Sequence, residues 1–142
     1  MKALKTLALF TAIALTAIFC LTSCGGDVDT ASLWDNATYL EDTELGEGVI
    51  TIAVEVKIAD RSVTFTINTD ATTLGEALLE NELVTGEMGA YGLYIKTVNG
   101  VLADYDVDAS YWASYKNGEY LMSGVDTTNI ADGEHYELVY TK

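Results

Sequence analysis

Five aromatic side chains are concentrated between residues 105 and 120, and their types and spacing suit ligand binding. They are Tyr105, Tyr111, Trp112, Tyr115 and Tyr120. On a strand that starts at Tyr111, alternation places Tyr111 and Tyr115 on one face and Trp112 on the other. Tyrosine and tryptophan combine a large apolar area with a polar tip, so such rings would suit a flat apolar ligand. The alternative is that Trp112 is a core residue and the tyrosines form cross-strand pairs.

A second pattern with chemical potential is a run of alternating aspartates, Asp104, Asp106 and Asp108. It begins like a calcium-binding loop, but Ala109 replaces the glycine at position six and Tyr115 replaces the glutamate at position twelve. On an extended strand the three carboxylates would share one face, where they could form a weak hard-cation site. The alternative is that they are solvated turn residues. His135, the only histidine, could ligate cobalt or another metal, but it has no partner motif. No resident metal site or cofactor is predicted.

The charge and the missing motifs exclude several classes of function. The formal net charge is −15, and nucleic-acid binding needs basic patches, so nucleic acid is not expected as a partner. The sequence contains no nucleophile elbow, Cys–His pair or paired-metal pattern. The protein is therefore predicted not to be an enzyme.

The beginning of the chain has the features of an export signal. Lys2 and Lys5 precede an apolar run from Leu7 to Leu21, and Leu21-Thr22-Ser23-Cys24 follows the pattern of a cleavage site. This stretch resembles the lipobox of bacterial lipoproteins, which implies a lipid on Cys24 after removal of residues 1–23. The protein would then be anchored to the cell membrane on its extracytoplasmic side. An uncleaved signal anchor, or cleavage at another position, is the alternative.

The rest of the chain divides into an acidic tether, residues 24–48, and a folded domain, residues 49–142. Trp34, Tyr39 and Leu40 are apolar exceptions in the tether that could dock on the domain. In the domain, period-two alternation predicts a hairpin of two strands, from Val49 to Ile58 and from Val63 to Ile67. Residues 82–90 are assigned to no strand, and residues 124–133 are expected to form a loop.

Further elements follow from local signals. A capping box predicts a helix from about Thr73 to Asn81. Asn99-Gly100 and Asn117-Gly118 predict two more hairpins, the first formed by residues 93–98 and 101–105 and the second by residues 111–116 and 119–122. A last strand is expected from His135 to Thr141. The predicted class is α+β: a β-grasp-like, mostly antiparallel sheet of hairpins packed by one short helix.

Six segments, taken in order, resemble the transcobalamin C-terminal-like domain of bacterial surface proteins, a domain of unknown function. The segments are Tyr39–Gly48, Thr73–Leu79, Val98–Val101, Tyr111–Glu119, Ser123–Asp126 and Ile130–Tyr136. The resemblance covers residues 39–142 and implies a β-grasp-like fold similar to the small β domain of vertebrate cobalamin carriers. In those carriers cobalamin lies between this domain and a helical barrel. This sequence contains no such barrel, so either a partner protein would complete a corrinoid site or the module has lost that role.

Together these observations predict a lipid-anchored module that binds a ligand or a partner. The candidate ligand-binding residues are Tyr105, Tyr111, Trp112, Tyr115 and Asn117, and Cys24 is the candidate lipidation site. A corrinoid-like molecule is the ligand that the resemblance implies. The alternative is a structural or adhesion module that contacts surface proteins or glycans.

Overall fold

The structure is a computed structural model that describes residues 29–142. The predicted signal peptide and Cys24 lie outside the described residues. Within residues 29–142, no helix has the length and apolarity to cross a membrane. The elements in chain order are α1 Thr30–Leu33, β1 Thr43–Leu45, β2 Ile50–Ile58, β3 Arg61–Thr69, α2 Leu74–Glu80, β4 Val84–Gly89, β5 Gly92–Val98, β6 Val101–Leu102, α3 Tyr105–Asp108, β7 Tyr111–Lys116, β8 Glu119–Tyr120 and β9 His135–Thr141.

Nine strands form two sheets in the described part of the chain. The larger sheet has the order β1-β3-β2-β9-β7-β8, and the smaller has the order β4-β5-β6. The pairs β1/β3 and β2/β9 are parallel, and every other neighbouring pair is antiparallel. The prediction of a mostly antiparallel α+β fold is therefore confirmed.

The β2–β3 hairpin forms where the alternation predicts it. Ile50 pairs with Thr69 at one end and Ile58 with Arg61 at the other. Alternate side chains of both strands are almost completely buried and form the centre of the core: Ile52, Val54, Val56, Ile58, Val63, Phe65 and Ile67. Because each of these apolar side chains stabilises the fold by about 1.5–3 kcal/mol when buried, one face of this sheet dominates the packing.

Helix α2 packs on that core and begins with the predicted capping box. The Thr73 hydroxyl accepts a hydrogen bond from the Glu76 N–H at 3.3 Å, and the Glu76 carboxylate accepts one from the Thr73 N–H at 3.3 Å. Gly75 is required by a close approach, since a Cβ there would lie 2.9 Å from the Cα of Asp126. The glycine that weakens the helix locally thus lets it pack against the loop that follows β8.

Within residues 49–142, two segments differ in element type from the sequence prediction, and β8 ends at Tyr120 where the prediction extended it to residue 122. Residues 84–89, assigned to no strand, form β4, whose irregular register at Thr85/Gly86 interrupts the alternation. The strand predicted to reach Tyr105 ends at Leu102, and residues 105–108 form the short helix α3. The Asp104 carboxylate accepts a hydrogen bond from the Asp106 N–H and caps that helix. The three aspartates therefore do not share one face of an extended strand but lie in and beside a single helical turn, in agreement with the alternative of turn residues.

The described part of the predicted tether carries structure and packs on the domain. Trp34 is only 4% exposed, and the Tyr39 ring meets the Phe65 ring edge-on with centroids 5.6 Å apart. Strand β1 extends the sheet beside β3. Of the three apolar residues considered for docking, Trp34 and Tyr39 dock, whereas Leu40 remains 52% exposed. Ordered packing therefore begins before Val49, because a few apolar side chains outweigh the acidic composition around them.

Candidate functional site

An open groove of about 630 Å³ lies where the small sheet meets α3 and the β7–β8 end of the large sheet. Four tyrosines, two aspartates and one lysine line it: Tyr94, Tyr105, Tyr111, Tyr120, Asp104, Asp106 and Lys96. We call this surface the tyrosine groove. Its apolar rings and its few charged groups make it a candidate binding site of the kind seen for small molecules.

Each groove tyrosine comes from a different element. Tyr94 lies on β5, Tyr105 begins α3, Tyr111 begins β7 and Tyr120 ends β8. Tyr94, Tyr105 and Tyr120 are 43%, 60% and 56% exposed, so their rings are accessible to a ligand. Single exposed apolar side chains are common on protein surfaces, but several that cluster on one surface indicate an interaction site.

Two aromatic pairs hold groove rings in place. Tyr105 and Tyr111 meet edge to face, with ring centroids 6.4 Å apart and an interplanar angle of 62°. Tyr115 lies outside the groove lining and supports Tyr120 in the same geometry, with centroids 5.5 Å apart. Such pairs contribute about 0.5–1.5 kcal/mol beyond their burial, so the rings are partly preorganised.

Trp112 lies below the groove in the core. It is 6% exposed, and its indole N–H donates a hydrogen bond to the Val101 carbonyl oxygen at 3.2 Å. Its ring also meets the Tyr140 ring edge-on, with centroids 5.5 Å apart. Because Val101 belongs to β6, this bond ties the small sheet to β7 and fixes the two walls of the groove. The reading of Trp112 as a core residue is therefore the one the structure supports.

The charged side chains in and near the groove differ in whether they have an ion-pair partner. The Lys96 ammonium lies 3.2 Å from the Glu87 carboxylate, which raises the pKa of Lys96, and Asp104 and Asp106 raise it further. Asp108 points elsewhere: hydrogen bonds from Ser110, assisted by Lys142 with its Nζ 3.8 Å away, hold the pKa of Asp108 below its usual range. Asp104 and Asp106 have no ion-pair partner among residues 29–142.

The structure brings together only part of the predicted site. Tyr105 and Tyr111 line the groove, whereas Asn117 occupies an exposed turn with φ of 50° beyond the lining. Tyr94 and Lys96 also line the groove, but the sequence prediction of the site does not include them. Their alternation with the buried Ile95 does predict that both side chains face outward from β5.

His135 lies on the open face of the large sheet, away from the groove lining. Its Nε2 is 3.6 Å from a Glu55 carboxylate oxygen, and Lys57 bridges Glu55 and Glu137 at 3.5 and 2.7 Å. Across residues 29–142, no group of three or more His, Cys, Asp or Glu side chains is placed to hold a metal ion.

Comparison with known proteins identifies the family. Residues 71–142 match DUF4430, a domain of unknown function. The chain belongs to the DUF4430 family. A protein from Ruminococcus gnavus ATCC 29149, provisionally described as metal binding, is 38% identical, with a TM-score of 0.63 over 66% of this chain and 98% of its own. A search of curated proteins finds no match to this DUF4430 chain.

Haptocorrin in complex with Cbi has the same fold as this DUF4430 domain. The identity is 23% and the TM-score 0.53, over 66% of this chain and 25% of haptocorrin. This DUF4430 chain thus spans about a quarter of the haptocorrin chain. At this identity the likeness establishes a shared fold, in agreement with the transcobalamin-like resemblance of the sequence.

Proposed function

We propose that this protein is a lipid-anchored, extracytoplasmic, non-enzymatic module that binds a flat, largely apolar ligand in the tyrosine groove. The observation that carries the proposal is the convergence of four tyrosines from four separate elements on one open groove. Core packing does not require this convergence, because three of the rings are more than two-fifths exposed. A flat ligand laid against them would bury apolar area that is now in contact with water.

A corrinoid is the ligand class that we favour. Haptocorrin, which shares the fold, was solved with Cbi bound, and the R. gnavus relative is provisionally described as metal binding. A corrinoid unites the two descriptions, since it brings its own cobalt ion. The protein would then need no metal ligands of its own and would supply only aromatic and polar contacts to the macrocycle.

The openness of the groove suggests how tightly it binds. Small-molecule pockets usually bury 70–90% of the ligand surface, and a groove open on one side covers only one face of a macrocycle. We therefore expect modest affinity in the isolated domain and tighter binding when a partner protein covers the other face of the ligand.

Titration of the soluble protein with cobinamide tests this proposal. Cobinamide should quench the emission spectrum of the protein on binding, because the macrocycle absorbs light at the wavelengths at which tryptophan emits. Tyr111→Ala should weaken the affinity by about tenfold, since lost ring contact of about 1.4 kcal/mol gives that factor. Tyr91→Ala is the matched control, because Tyr91 is 99% exposed at the β4–β5 turn and outside the groove lining. An unchanged emission spectrum at tens of micromolar protein would show that the isolated module does not bind corrinoids.

A second candidate function is a surface module that pairs with another protein through a sheet edge. It rests on β4, which ends the small sheet and leaves residues 85–89 exposed along its outer side. An exposed strand edge is a template for an added strand from a partner. In this case cobinamide would leave the emission spectrum of the protein unchanged, and the groove substitutions would have no effect on partner binding.

The membrane anchor has its own test. Cys24→Ala should leave the protein as an unprocessed precursor or release it from the membrane fraction, because the sulfur that carries the lipid is lost. Cys20→Ala is the matched control, since Cys20 lies in the segment that processing would remove. Mass spectrometry of the N-terminus and membrane fractionation measure both outcomes. Unchanged, acylated membrane protein in the Cys24→Ala variant would contradict the anchor.

A further inference from the structure

We infer that the ligand of the tyrosine groove is an organic cation, a molecule whose positive charge lies on a quaternary or delocalised group. The inference rests on the proposed function, because it requires the groove to be a ligand site. It adds the sign of the ligand charge, which neither the family nor the solved relatives provide.

The first support is the aromatic lining. The face of a tyrosine ring carries negative electrostatic potential, and a cation within about 6 Å of the ring centre is attracted to it. Tyr94, Tyr105, Tyr111 and Tyr120 supply four such rings around one groove. Clustered aromatic rings are a recurrent solution for binding quaternary ammonium groups, which cannot donate hydrogen bonds.

The second support is the charge of the lining. Among residues 29–142, Lys96 is the only basic residue that lines the groove, and it forms an ion pair with Glu87 at 3.2 Å. Asp104 and Asp106 lack ion-pair partners among the described residues, whereas Asp108, which is outside the lining, is bonded to Ser110 and Lys142. Lys96 and its three acidic neighbours, Glu87, Asp104 and Asp106, therefore carry a net charge of −2 beside the rings of the groove.

The two features together discriminate among ligand types. An anion would be attracted by Lys96 but repelled by Glu87, Asp104 and Asp106, and it would gain nothing from the ring faces. A neutral flat molecule would stack but would leave both carboxylates unused. Only a cation interacts favourably with both, and the net charge of −15 on the whole chain would also steer cations towards the protein.

A pair of probes that differ only in charge tests the inference. Choline and 3,3-dimethylbutan-1-ol have nearly the same shape, but the second has carbon in place of the quaternary nitrogen. Ring-proton shifts of the groove tyrosines, followed by NMR, give both affinities. Choline should bind about 3- to 10-fold more tightly, and the difference should shrink at high salt. Equal or tighter binding of the neutral alcohol would overturn the inference.

Substitutions locate the preference in the groove. Asp106→Asn keeps the size of the side chain but removes one charge, and it should reduce the preference for choline. Glu80→Gln is the matched control, because Glu80 is exposed on α2 and outside the lining. An equal reduction in both variants would show an effect of net charge alone and would overturn the assignment to the groove.

The results separate this inference from the proposed function. If cobinamide binds through Tyr111 but choline and its neutral analogue bind equally, the ligand site stands and the charge preference is wrong. If choline binds preferentially and cobinamide does not bind, the cation site stands and the corrinoid is wrong. If no probe shifts the groove tyrosines, both proposals are wrong.

Discussion

Replacing Trp34 with alanine should lower the free energy of unfolding by about 3–5 kcal/mol, the usual loss when a buried tryptophan is truncated. The side chain is 4% exposed and belongs to the hydrophobic core although it lies in a segment of mainly acidic composition. The Arg61 guanidinium lies over its ring, 4.5 Å from the centroid, so the substitution also removes a cation–π contact.

Urea unfolding of the soluble protein measures this loss, and Leu40→Ala is the matched control. Leu40 lies in the same segment but is 52% exposed, so its substitution should change stability by no more than about 0.5 kcal/mol. Equal, small effects of both substitutions would mean that the segment before Val49 behaves as a tether and does not stabilise the domain.

Much of the fold could be predicted because its signals are local. Strict alternation identified β2 and β3, the Thr73/Glu76 capping box identified α2, and Asn-Gly pairs identified two turns. Each signal involves residues close in sequence that favour one local geometry whatever surrounds them. Strand β4 had no such signal, because Gly86 and the irregular register at that position interrupt its pattern and its pairing with β5 decides its conformation.

The candidate site was less predictable because it is assembled from distant parts of the chain. Tyr105 and Tyr111 were identified from an aromatic cluster in the sequence. Tyr94 and Lys96 reach the groove only because the small sheet packs against the end of the large one. The same packing explains why Trp112 is buried. Its hydrogen bond to Val101 joins the two sheets and keeps the ring away from the surface. Neither contact follows from spacing along the chain.

The N-terminal segment shows the limit of a prediction from composition. Its acidic residues are typical of a segment that gains too little apolar burial to be ordered. Trp34 and Tyr39 supply that burial, and hydrogen bonds to the domain add to it. In one of them the backbone N–H of Thr64 donates to the carboxylate of Asp42 at 2.8 Å. These few specific contacts are thus enough to order a segment whose average composition disfavours order.

Substitution of Asn99 should have the second large effect on stability, because this residue joins the N-terminal segment to the β5–β6 turn. Its side-chain oxygen accepts a hydrogen bond from the Tyr39 N–H at 2.9 Å, and its side-chain nitrogen donates one to the Tyr39 carbonyl oxygen at 2.8 Å. Its backbone carbonyl accepts a third bond, from the Thr38 N–H at 2.9 Å. With Asn99 only 2% exposed, alanine would leave the polar backbone groups of Tyr39 without these partners.

Asn99→Ala should therefore lower the free energy of unfolding by about 2–4 kcal/mol. Asn117→Ala is an internal control, since Asn117 occupies the same position in the other Asn-Gly turn. The two residues have φ of 48° and 50°, so alanine meets similar backbone strain at both. Asn117 is exposed, so its substitution should lower the free energy of unfolding only by the strain of alanine at this φ, about 1 kcal/mol.

Urea unfolding gives both values, and their difference measures the contribution of the side-chain bonds to Tyr39. Equal losses would show that these bonds contribute no net stability and that the segment is held by Trp34 and Tyr39 packing alone.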